Sequence, residues 1–206
     1  QAGALSFEIF SNDKKLISNS GYYPDTKNRL NKLSKSTALQ NTLSIEDYSS
    51  SDFIKSSNNF LIQKDLKIEN KNIVFEKNYW KISASHNGYF KKFKLDHHRE
   101  IEFYPEQFKF IGHDKIVRKD PDKQIKFDIR FHLHPDSKVM KTQNNKFILI
   151  QLEDEGWQFS CDNYDINIDN GLYFGNKNSY QENQNIFISG MNNESEQIIR
   201  WEIIKI

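Results

Sequence analysis

Cysteine is nearly missing from this 206-residue chain: Cys161 stands alone. That excludes an internal disulfide and every zinc cage built from thiolates, and it leaves the redox compartment undecided. Proline and glycine are scarce, at 4 and 8 residues, against 16 Phe, 9 Tyr and 3 Trp. This aromatic content argues against disorder, because disordered chains lack the residues whose burial offsets the entropy of folding. No apolar run approaches the roughly 18 to 20 residues a membrane helix needs, so no membrane span is expected. The first residue is Gln1, with no Met and no charged-then-apolar leader, as expected of a segment inside a longer protein. Net charge is only +1 and no nucleic-acid motif is present, which argues against a nucleic-acid partner.

The balance of charge hides an uneven distribution. Residues 86 to 146 carry 14 basic and 9 acidic groups, whereas residues 153 to 206 carry 3 and 10. Five of the 6 His also lie between His97 and His134, with His86 just ahead of them. A basic, His-rich strip beside an acidic tail suits an anionic ligand on one face, and it equally suits a solvated surface.

What the chain does have is alternation. Segments 80–85, 89–95, 99–103, 125–132, 147–152, 157–161 and 185–189 place Ile, Phe and Tyr between polar residues with a period of two. Ala4 to Phe10 and Lys15 to Asn19 read as a hairpin around Ser11-Asn12-Asp13, and Thr42 to Ile45 as another strand. Asn87-Gly88 and Asn170-Gly171 are turn signals of the type that needs positive φ at both central residues, and Asp154-Glu155-Gly156 is a weaker one. Gly21 to Ala38 reads as an extended loop, and no helical periodicity persists over three turns. Many short strands at about ten-residue spacing predict an all-β fold with little helix, a large antiparallel β-sandwich formed by residues 1 to 206 as one domain.

Two groups of residues carry chemical possibilities. Arg130, His132 and His134 share one side of a strand that ends in Phe131-His132-Leu133-His134-Pro135. They can face an anion or another domain, grip a metal, or be hydrogen-bonded structural groups. A cupin-like metal site would need a nearby Glu and a later His, and neither follows. The second group is Ser85-His86-Asn87-Gly88-Tyr89, followed by His97-His98-Arg99. A two-residue turn would make His86 and Tyr89 cross-strand neighbours, an arrangement open to acid-base chemistry or to structural use alone.

In order along the chain, several segments resemble the heparinase II/III-like family of polysaccharide lyases. Gly3-Ala4-Leu5-Ser6-Phe7-Glu8 is similar to its opening strand, Asn19-Ser20-Gly21 and Gln40-Asn41-Thr42 to the two landmarks that follow, and Ser85 to Tyr89, His97 to Arg99 and Arg130 to Pro135 to later ones. Glu155-Gly156-Trp157-Gln158-Phe159 and Ile199-Arg200-Trp201 fit as well. The resemblance implies the carboxy-terminal sandwich of a lyase whose amino-terminal helical toroid is absent from this chain. It further implies an acidic, uronic acid polysaccharide as partner, cleaved by β-elimination in a cleft of which the sandwich forms one wall, and a periplasmic or cell-envelope location. The alternative is a non-catalytic carbohydrate-binding or scaffolding module. His86, Tyr89, His97, Arg99, Arg130, His132 and His134 are the candidates for contacts to substrate or toroid, with no catalytic residue expected within this fragment. Family members hold a metal, zinc, where this chain reads Gln1, Asn19 and Gln40; neutral amides bind zinc weakly, so no cofactor is expected.

Overall fold

The structure is a computed structural model that describes the chain outside residues 57–58, 63–64, 144 and 176–178, with the backbone alone across the rest of 55–62. Strands account for 56% of it and helix for 8%, in antiparallel sheets. Its first hairpin joins β1 (Ile9–Ser11) to β2 (Lys14–Ile17) through Asn12 and Asp13, whose φ values of 46° and 63° are those the turn requires. The stretch expected to be loop contains a short helix, α1 (Arg29–Leu33), and a 3-10 turn at Thr37–Leu39. Asn28 starts α1 by accepting the Leu30 N–H on its side-chain oxygen at 3.0 Å, which satisfies one free donor of the first turn.

The remaining strands are β3 (Leu43–Ile45), β4 (Phe53–Ser56), β5 (Asn59–Ile62), β6 (Ile68–Glu76), β7 (Tyr79–His86), β8 (Leu95–Tyr104), β9 (Lys109–Arg118), β10 (Ile125–His132), β11 (Lys138–Lys141), β12 (Phe147–Leu152), β13 (Glu155–Cys161), β14 (Ile166–Tyr173), β15 (Gln181–Asn192) and β16 (Glu196–Lys205). An eight-stranded sheet runs β11-β12-β13-β16-β9-β8-β7-β6, and a four-stranded sheet runs β14-β15-β10-β3. Between them lies the core. From the small sheet, Phe127, Ile129 and Phe131 point inward; from the large one come Ile148, Trp157, Phe159, Ile199, Trp201 and Ile203, all buried. Phe7, in the opening segment, stacks on Trp201 at 5.5 Å between ring centroids, and Phe131 meets the same indole edge-on at 4.9 Å. Opposite Trp201 stands Gly112, where a Cβ would come within 2.0 Å of the indole ring. Among the described residues no helix is long and apolar enough to cross a membrane.

Two turn assignments are corrected by the structure, for one reason. Asn87-Gly88 makes no two-residue hairpin: the chain continues into a helical turn, α2 (Phe90–Phe93), where 89–95 was expected to be a strand. The strand partner of His86 is His97, not Tyr89. Asn170-Gly171 lies inside β14, paired with Gln184 and Asn183. Neither glycine has a positive φ. Both are required by close approach instead: a Cβ at Gly88 would sit 2.3 Å from the Ser50 carbonyl, and one at Gly171 would sit 2.7 Å from the Asn183 side-chain oxygen.

Candidate functional site

The antiparallel register of β7, β8, β9 and β16 places four polar side chains on the buried face of the large sheet. His86 lies opposite His97, and Arg99, two residues further along β8, lies opposite Asp114. Asp114 is fully buried, which alone would raise its pKa, yet Arg99 and His97 hold it well below the usual carboxylate range. Arg99 reaches it with two bonds, Nε to Oδ1 at 2.8 Å and NH2 to Oδ2 at 3.0 Å. His97 Nε2 lies 2.6 Å from Oδ1, and Trp201 donates its indole N–H to Oδ2 at 2.8 Å. A buried carboxylate surrounded this way is fully paired, the condition for tolerating its charge in the interior.

The hydrogen bonds also fix the histidine tautomers. The Gly88 N–H donates to His86 Nδ1 at 3.1 Å, so the ring proton of His86 sits on Nε2. From there it donates to His97 Nδ1 at 3.1 Å, which leaves the His97 proton on Nε2, facing Asp114. The chain Gly88, His86, His97, Asp114 thus runs in one direction with both rings neutral. Burial, followed by the positive potential of neighbouring basic groups, lowers the pKa of His86, and burial lowers that of His97 although Asp114 opposes it.

Arg99 ties this network to the opening of the chain. Its NH1 donates to the Leu5 carbonyl at 3.0 Å and to the Asn41 carbonyl at 2.5 Å. Asn41 spends its other polar groups as well: its N–H meets Asn19 Oδ1 at 2.8 Å, its amide donates to the Phe7 carbonyl at 2.8 Å, and its Oδ1 accepts the His132 N–H at 2.6 Å. Asp114 and Asn41 are therefore the hubs of the buried polar system. The sequence reading gave neither a role. For Asp114 the sequence around it, Ile111-Gly112-His113-Asp114-Lys115-Ile116, carries no signal of such a role, and Asn41 stands out only as part of the Gln40-Asn41-Thr42 landmark.

Of the seven candidate contact residues, five are closed off inside this chain: His86, Tyr89, His97, Arg99 and His132 are 2%, 1%, 0%, 4% and 1% exposed. The Tyr89 hydroxyl donates to the Leu43 carbonyl at 2.7 Å and His132 Nε2 meets the Ala38 carbonyl at 3.0 Å, while His132 Nδ1 is buried without a hydrogen-bond partner among the described residues. Burial lowers His132 to about 4 and raises the Tyr89 phenol. His86 and Tyr89 are neighbours, 5.6 Å between ring centroids, but through the start of α2 and not across a hairpin. Arg130 and His134 keep part of their surface. Arg130 donates to Asn185 Oδ1 at 3.1 Å over the Phe187 ring, and His134 packs edge-on against Tyr173 at 5.3 Å. The side of β10 that carries Arg130 is thus closed at His132 by the Ala38 segment, and His134, expected on the same strand face, lies beyond the end of β10.

At the positions where the family resemblance implies a metal, two amides converge on one carbonyl. Gln1 Nε2 donates to Gly21 O at 2.6 Å and to Ser34 O at 3.4 Å, and Gln40 Nε2 donates to the same Ser34 O at 3.5 Å. Asn19 turns its oxygen to the Asn41 backbone instead. Amide N–H groups aimed at a shared acceptor, with no imidazole or carboxylate among them, do not fit a zinc ion.

Known proteins give this architecture a place. The family model described as Heparinase II/III-like, C-terminal, matches residues 1–202. FtsZ-localized protein C of Caulobacter vibrioides is 25% identical over 219 residues, 99% of this chain and 37% of that protein. Among solved structures, heparan sulfate lyase HepC from Pedobacter heparinus superposes with a TM-score of 0.81 at 13% identity, covering 100% of this chain and 30% of the lyase. A heparinase III gene product gives 0.76 at 14%, again over 100% of this chain and 30% of its own. The chain spans about a third of the length of these relatives. A sandwich of this topology, matched by the family model nearly end to end, belongs to the heparinase II/III-like family as its C-terminal domain.

Proposed function

We propose that this sandwich is one domain of a polysaccharide lyase that cleaves uronic acid polysaccharides by β-elimination, and that it serves as a wall of the substrate cleft against an amino-terminal helical part. Family membership over residues 1–202 carries this reading. β-Elimination requires removal of a proton beside a carboxylate, and that proton becomes acidic only when the carboxylate's charge is neutralised by donors or cations. Among the described residues, the histidines of the buried network already hold their protons in fixed directions within the core, which suits support of a cleft more than proton transfer in it. Arg130 and His134, with surface still open, are the residues proposed to meet the anionic sugar or the helical part. No metal is proposed at Gln1, Asn19 and Gln40, where hydrogen-bonded amides hold the strands. A periplasmic or cell-envelope location goes with the same reading.

The test is the full-length protein incubated with acidic polysaccharides and followed by the ultraviolet absorbance of unsaturated uronate products. Product is expected, with a lower rate in Arg130→Ala. The likeness to FtsZ-localized protein C favours a second reading, a non-catalytic binding or scaffolding module. Polysaccharide binding by the full-length protein with no unsaturated product would decide for that second reading.

A further inference from the structure

The outer face of the eight-stranded sheet carries a second cluster, separate from the core network. Glu100 and Glu102 lie two apart on β8 and so share a face, and His113 on β9 stands directly opposite Glu100. One ligand atom from each lies within 4.8 Å of the others, and all three side chains are partly exposed. Lys81 holds the Glu100 carboxylate through Oε2 at 3.3 Å, and the Tyr104 hydroxyl holds Glu102 through Oε2 at 2.6 Å. Tyr79 is a second hydrogen-bond partner of Glu102, so both carboxylates are oriented by neighbours that a bound ion would have to compete with. Across the strand pair, Arg200 is opposite His113 but is turned to Asp162 and Glu202, at 3.1 Å each.

We propose that Glu100, Glu102 and His113 bind one divalent transition-metal cation, with Zn²⁺ as the species the donors suit best. One imidazole nitrogen and two carboxylate oxygens form a three-ligand set of the kind zinc accepts, with water in the fourth position on the open outer side. Magnesium and calcium want six or more oxygens and are disfavoured by the imidazole. Zinc bonds of about 2.0 to 2.2 Å at tetrahedral angles put ligand atoms roughly 3.3 Å apart. From 4.8 Å, that closure needs shifts of about 1 Å, within reach of rotation in partly exposed glutamates while the β8-β9 ladder stays fixed. The bound ion would cross-link β8 and β9 on the side away from the core. It would also compete with Lys81 for Glu100, so binding is expected to displace that lysine.

The experiment is calorimetric titration of Zn²⁺ into the chelator-treated 206-residue chain at pH 7.5, with circular dichroism to verify the fold of each variant. One ion per chain is expected, with affinity reduced about tenfold or more in Glu102→Gln and in His113→Ala. Gln40→Ala and His134→Ala are expected to bind as the parent does, which separates this site from the amide cluster and from the surface pair His134–Asp136. Absence of saturable binding, undiminished affinity in both Glu102→Gln and His113→Ala, or loss of binding in Gln40→Ala or His134→Ala would overturn the assignment.

Discussion

Arg99→Met is expected to lower the free energy of unfolding by about 3 to 5 kcal/mol, read as a fall in the urea midpoint at pH 7.5. The cost arises from what remains. Asp114 keeps its negative charge in a fully buried position, and its remaining donors are His97 and Trp201. The carbonyls of Leu5 and Asn41 lose the guanidinium that joined the opening segment to the large sheet. Met fills much of the volume, so the loss is electrostatic and not a cavity. Adding Asp114→Asn to the same chain removes the orphaned charge and is expected to recover part of the loss. A change below about 0.5 kcal/mol, the scale of an ordinary surface substitution, would mean that the network does not hold the domain together.

Acid is expected to weaken the fold well before its carboxylates titrate. His132 is buried, and its pKa falls from 6.5 to about 4. An unfolded imidazole takes up a proton as pH drops through 6.5 while the folded one does not, so the proton favours unfolding. The stabilisation is therefore complete above about pH 6.5 and is eroded down to about pH 4. At ~1.4 kcal/mol per unit, His132 alone accounts for a loss on the order of 3 kcal/mol across that window. His86 and His97, lowered in the same direction, add to it. Asp114, held below its ordinary 3.8, extends the decline to more acid conditions, where its unfolded form protonates first. Urea midpoints at pH 7.5 and 4.5 give the wild-type slope. His132→Gln keeps a donor for the Ala38 carbonyl but cannot titrate, so its profile is expected to be shallower; a parallel profile would contradict the assignment.

The strands most legible in the sequence are those in which large apolar residues alternate with polar ones. Ile125 to His132 and Phe147 to Leu152 coincide with β10 and β12, and Trp157 to Cys161 falls within β13. β6 showed no alternation because it is an edge strand with nearly every residue exposed. β9 escaped for the opposite reason: Gly112 and Asp114 occupy inward positions, where a period-two reading expects large apolar groups. Glycine carried two messages that the sequence cannot separate, positive φ and close approach, and Gly88 and Gly171 meant the second. The family was legible from ordered landmarks, and of the seven candidate contact residues in them, five are buried. Alternation placed Arg130, His132 and His134 on one side of a strand but carried no information that the Ala38 carbonyl would cover His132. Nor could it show that His86, His97 and Arg99 converge on Asp114, a contact made across three strands.

That convergence can be observed directly through the side-chain nitrogen resonances of His86 and His97, recorded between pH 8 and 6. Both rings should stay neutral throughout, with the proton on Nε2 and Nδ1 bare, as the donors and acceptors around them dictate. If either ring takes up a proton with a midpoint near 6.5, or carries its proton on Nδ1, the buried relay from Gly88 to Asp114 does not exist as described.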